Sequence, residues 1–203
     1  MNNSNYVKNK TFYHIHRQNG YSPLWVPGNQ IDFTIKRPNE FSSFYSKTHF
    51  FLNFRGEDLY PNSLVQKINQ SGVLNGQEIV PVLNFFGTVI KESALYLRET
   101  VFEEVRVQYF SNLPSRKNCI WVFEEDATDY WSKTLGGGQL LRLELTGVIH
   151  IADQRHLSSE ILPEDIIRQH AFNYWTGTDG QNKCEQEILF EGIVKILDEV
   201  NLP

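Results

Sequence analysis

The chain has 203 residues, a formal charge of −5 and two cysteines, Cys119 and Cys184. Its length suits one domain with a sizeable core. With 40% hydrophobic and 13% aromatic residues it is a globular chain, not a disordered one, and its mild acidity argues against a general electrostatic grip on nucleic acid. No apolar run is long enough to span a bilayer, and Met1-Asn2-Asn3-Ser4-Asn5-Tyr6 lacks an apolar signal core. The cysteines have neither the number for a disulfide scaffold nor zinc-type spacing. The expectation is a cytoplasmic protein with free thiols, no membrane contact and no metal.

Thr11 to His16 is β-branched and aromatic and reads as a strand. Residues 18–56 are punctuated by Pro, Gly and Asn, with turn-like Gly28-Asn29 and Pro38-Asn39, and read as long loop. Leu64 to Gln70 predicts a short helix. The clearest helix runs from Val89 to Phe110: Ile90, Ala94, Leu97, Val101 and Val105 recur at steps of three or four. Its charges, Lys91, Glu92, Arg98, Glu99, Glu103, Glu104 and Arg106, read as a solvated face, and it stops before Leu113-Pro114.

Asn118 to Phe123 reads as a strand, Asp126 to Lys133 as a helix closed by Gly136-Gly137-Gly138. Gln139 to Glu144 is a further strand, and Thr146-Gly147 is a break before Val148 to Ile151. Pro163 opens a helix to Tyr174. Glu187 to Leu197 is the last strand, with Gly192 a bulge or turn. The mixed order, with strands crowded into the C-terminal half, predicts an α+β fold.

Several motifs fail on their context. The triple glycine follows a helix instead of opening one and matches neither phosphate-loop pattern. There is no H-E-x-x-H and no G-x-S-x-G. What remains is Glu185-Gln186-Glu187 at the head of an apolar run. In a strand these two carboxylates share a face and perturb each other's titration, which a fold tolerates on a wet edge or where chemistry uses it.

Taken in order, Phe12-Tyr13-His14, then Cys119 to Phe123 leading into Asp126 to Trp131, then Leu141 to Gly147, and last Glu185-Gln186-Glu187-Ile188-Leu189 resemble the ADP-ribosyltransferase superfamily. Its members have a first strand bearing His or Arg and a late strand headed by E-x-E or Q-x-E. The middle section is similar to the small rifampin-modifying members, which also begin on an F-Y-H strand. Phe102 to Arg106 and Leu113 to Arg116 resemble a group of bacterial proteins associated with the superfamily.

The resemblance implies a single domain over residues 1–203 with residues 1–10 a flexible tail, built as a split mixed β-sheet with flanking helices. It implies a mono-ADP-ribosyltransferase that uses NAD as substrate and modifies RNA, DNA or protein, as toxins of toxin–antitoxin or anti-phage systems do, with an antitoxin as a further partner. The alternatives are an NAD glycohydrolase and a non-catalytic binding module on the same fold. Glu187 is then the anion that stabilises the ribosyl cation, and Glu185 positions or deprotonates the acceptor. His14 or His16 contacts the adenosine-side ribose, with Arg17 a cation close by. Ser115 and Arg116 hold the pyrophosphate; Tyr130 or Trp131 stacks on nicotinamide. Trp121 stands where members often carry Tyr. Tyr174 and Trp175, in the segment before the last strand, contact the acceptor.

Overall fold

A computed structural model describes residues 5–17, 25–35, 39, 49–177 and 186–201. Among the described residues seven strands and four helices follow in order: β1 (Tyr6–His16), β2 (Gln30–Asp32), β3 (Leu52–Phe54), β4 (Glu57–Leu59), α1 (Pro61–Ser71), α2 (Gly76–Tyr109), β5 (Ile120–Val122), α3 (Thr128–Leu135), β6 (Gln139–Asp153), α4 (Glu164–Thr176) and β7 (Gln186–Val200). The fold is α+β, as the element order predicts. Every pairing among these strands is antiparallel, so the expected mixed sheet is corrected to an antiparallel one.

The five-stranded sheet runs β1-β6-β7-β2, with β5 on the same edge of β7 as β2. Strands β6 and β7 pair over their whole lengths, from Leu140 opposite Val200 to Asp153 opposite Gln186. The sheet curls until its edges meet: Tyr13 and Phe123 exchange backbone hydrogen bonds of 2.8 and 2.9 Å. The inside of the curl is a dry core of Phe12, Leu141, Leu143, Leu145, Phe190 and Val194, among others. Fully burying one such side chain contributes about 1.5–3 kcal/mol. On the outside, α2 and α4 pack over Leu189 and Ala152 around Phe102, Tyr174 and Trp175. Helix α3 covers Tyr13, Ile15 and Phe123.

Three boundaries and the burial of one helix face differ from expectation for identifiable reasons. Residues 6–10 are not a tail: β1 starts at Tyr6, and its Asn9 adopts a positive φ where the register with β6 shifts. Helix α2 begins at Gly76, 13 residues before Val89, because Asn75 accepts from the Gln77 and Glu78 amides while Glu78 reaches back to the Asn75 amide. It continues through Pro81. Thr146-Gly147 is no break, because Gly147 lies opposite Gly192 within one continuous ladder. The charged face of α2 is only partly solvated: Glu99 and Arg106 are buried. Among the described residues no helix is long and apolar enough to cross a membrane.

Candidate active site

Strand alternation sets the site. On β7, Ile188 and Phe190 enter the curl, so Glu187 and Leu189 face outward toward α2 and α4. The Glu187 side chain, 12% exposed, there meets Arg116 and Tyr174. Arg116 Nη1 donates to Glu187 Oε2, and the Tyr174 hydroxyl donates to the same oxygen at 2.8 Å. Both bonds fall on Oε2; Oε1 receives none among the described residues.

Arg116 reaches this position because its loop is pinned to α2. Arg106 forks onto Glu103 and donates from Nη1 to the Ser111 and Leu113 carbonyls. Ser115 donates its hydroxyl to Glu103 at 3.0 Å. The Asn39 amide donates to the Arg116 and Cys119 carbonyls. The Arg116 guanidinium then donates Nε and Nη2 to the two oxygens of Glu99, and Nη1 to the Tyr174 hydroxyl at 2.6 Å. Arg98 donates Nε and Nη2 to Oε1 of the same Glu99. Glu99 and Glu187 thus balance Arg98 and Arg116 in one largely buried set of four charges.

The electrostatics follow from that packing. Burial opposes the charge of Arg116, but Glu187 and Glu99 outweigh it and hold its pKa well above the ordinary value. Burial acts to raise Glu99, and the two guanidinium groups overcome it, so its pKa lies below the usual range. Burial, with Glu187 beside it, pushes the Tyr174 phenol well up, leaving it a proton donor. His150, on the same face of β6, meets the Tyr174 carbonyl at 3.0 Å and is lowered to about 4 by burial.

The residues expected from the sequence divide into separate groups. Glu187, Arg116, Ser115, Tyr174 and Trp121 come together on the helix-covered face, with Arg116 5.8 Å from the Trp121 ring. His14 and His16 share the face of Phe12 and so stand on the opposite side of the sheet from Glu187. Trp25 stacks on both at 4.8 and 4.9 Å, and His14 Nδ1 meets the Trp121 carbonyl at 2.8 Å. Burial holds His14 at about 4, against that hydrogen bond and with the repulsion of His16. Arg17 is exposed at the end of β1. Tyr130 and Trp131 lie on α3, Trp131 stacked on Phe123 at 6.3 Å with its indole N–H buried and without a partner among the described residues. Glu185 lies outside the described residues.

Two expected roles do not fit this placement. Arg116, 4% exposed, has its donors committed to Glu99, Glu187 and Tyr174, and Ser115, equally buried, is committed to Glu103; neither faces a pyrophosphate. Tyr174 and Trp175 sit on α4, at 0% and 1% exposure, and cannot meet an acceptor; Trp175 donates to the Phe102 carbonyl instead. Glu99, Glu103 and Arg106 were legible only as helix charges. Their steps of four and three, beside Phe102 and Val105, put them on a stripe bordering the core.

The sequence profile of a family described as "Protein of unknown function (DUF2441)" matches residues 12–202, and the chain belongs to that family. A comparison with curated proteins finds no match.

Proposed function

We propose that this DUF2441 chain cleaves NAD and transfers ADP-ribose to a macromolecular acceptor, RNA, DNA or protein, with Glu187 carrying the chemistry. One observation supports this above the rest: Glu187, at the head of the last long strand, is fixed through one carboxylate oxygen by two donors, and its other oxygen receives none among the described residues. Cleavage of the bond between ribose C1′ and nicotinamide sends the bonding pair to nicotinamide, which leaves neutral. Positive charge develops on the ribose, and no general acid is needed. A carboxylate already held in place meets that charge without reorganising, and its other oxygen accepts from a ribose hydroxyl. C1′ then bonds to the acceptor nucleophile, whose proton passes to Glu185 in this reading. A toxin of a toxin–antitoxin or anti-phage system, silenced by an antitoxin, is the biological role that fits such an activity.

Glu187→Gln keeps the shape and the Tyr174 hydrogen bond but removes the charge. Transfer of label from NAD into a bacterial lysate is expected to fall about 10²–10³-fold, with a melting curve on the same sample to show that the variant is folded. No transfer by the unaltered protein, or full transfer by the folded variant, rules the reading out. Nicotinamide release without labelled macromolecule identifies an NAD glycohydrolase instead.

The opposite-face placement of His14 and Glu187 favours a second reading, a binding module in which the Glu187–Arg116 pair is structural. In that case NAD produces no thermal shift, since a ligand that binds only the folded state must stabilise it.

A further inference from the structure

Helix α2 carries one apolar stripe along most of its length. Val80, Leu83, Gly87, Ile90, Ala94, Leu97 and Val101 recur in strictly alternating steps of three and four, the seam spacing of a coiled coil. The C-terminal part of the stripe is covered within the chain: Ala94 and Val101 are buried, and Val101 lies in the core with α4. From Val80 to Ile90 the stripe is bare among the described residues. Val80, Leu83 and Ile90 are each more than half exposed, and a Cβ placed on Gly87 would meet nothing within 4 Å.

The other side of the same turns is already used. Val82 is buried, and Phe85 and Phe86 pack with it against Phe54 and Leu64. Ile79 to Ile90 holds no charged side chain, and the Thr88 hydroxyl is turned back onto the Asn84 carbonyl at 3.0 Å. A helix apolar on both sides is stable when both are covered, and this face selects an apolar partner, not a charged one. With Ile79, the bare residues expose on the order of 400 Å² of apolar surface. That is about the apolar share of a standard interface of about 800 Å² per partner.

The spacing identifies the partner. The steps from Val80 to Ile90 are three, four and three, the same read in either direction, so an antiparallel second copy presents the same pattern in register. A two-fold axis at the level of Phe85 sets Val80 against Ile90 of the partner subunit and Leu83 against Gly87 of the partner subunit. The glycine admits the leucine and lets the helix axes close to about 8 Å. We propose that the chain forms a homodimer through α2, two helices antiparallel across Val80, Leu83, Gly87 and Ile90. Glu99, Glu103 and Arg106 lie on the other half of the helix, so the dimer stands apart from the NAD reading.

Sedimentation velocity on the full chain is expected to show dimer at about 100 µM that dissociates on dilution toward about 1 µM, as a small interface does. Hydrogen exchange of residues 79–90 should slow as concentration rises through that range, while 94–106 stay unchanged. Leu83→Glu and Ile90→Glu each put a charge into the seam and should raise the dissociation constant about tenfold or more. Both side chains are exposed in the single chain, so the melting temperature of dilute samples should hold. Val107→Glu, at an exposed position off the stripe, should leave the dimer intact. A chain still monomeric at about 100 µM overturns the proposal, as does a dimer unmoved by Leu83→Glu or lost in Val107→Glu. A monomer that sediments with phosphatidylglycerol vesicles, and ceases to in Leu83→Glu, assigns the face to a bilayer surface and rules the dimer out.

Discussion

Arg116 shows how much one side chain can organise. Its planar fork serves Glu99, Glu187 and Tyr174 at once, from a position 4% exposed. A lysine has three donors on one atom and cannot span that set. Arg116→Met leaves two carboxylates buried without their main partner, and is expected to lower unfolding free energy by about 3–5 kcal/mol in urea titrations. Adding Glu99→Gln and Glu187→Gln should recover part of the loss, because the penalty comes from uncompensated charge; no recovery in the triple variant assigns the loss to packing alone. The sequence marks Glu187 as a strand-head carboxylate, but Pro114-Ser115-Arg116 carries no sign of what the arginine faces. Its partners lie 17, 58 and 71 residues away, beyond the reach of any periodicity, so a surface cation and a buried keystone read alike.

At the scale of elements, local chemistry was legible wherever it was decisive. The Gly136 stop of α3 is a left-handed cap, as the triple glycine predicts, and the Asn75-x-x-Glu78 capping box marks the start of α2 in the sequence, well ahead of the apolar stripe that begins at Ile90. Thr146-Gly147 misled because a glycine inside a strand signals a break or a close approach equally well. Here it is close approach. A Cβ at Gly147 would lie 2.3 Å from the Glu191 carbonyl oxygen, and one at Gly192, where φ is +152°, 2.5 Å from that of Thr146. The sign of a substitution separates the two cases. Gly→Ala where the backbone has space stabilises by about 0.4–1 kcal/mol through the unfolded chain, whereas Gly147→Ala must push β6 from β7 and is expected to destabilise by about 1–3 kcal/mol. Chemical denaturation reads the sign directly, and a stabilised variant contradicts the close approach described.

Over the whole molecule, α2 joins two regions of unequal strength. Its C-terminal half lies under α4 with Val101, Phe102 and Val105 buried against the sheet. Its N-terminal half belongs to a small cluster with α1 and the β3–β4 hairpin, in which Phe54, Leu64 and Val82 are the buried members among the described residues, while Val80 and Leu83 are exposed at 60% and 64%. Local opening follows the apolar area that must be uncovered, so one continuous helix should carry two levels of protection. In hydrogen exchange, amides of α1 and of residues 76–88 are expected to exchange well before those of 94–106, β6 and β7; uniform protection along α2 would mean that the helix opens as one unit. The boundary matters for the candidate site, since Glu99, Glu103 and Arg106 all fall in the protected half. The four-charge cluster, and with it the orientation of Glu187, is then coupled to the global stability of the sheet and insulated from fluctuations of the smaller cluster.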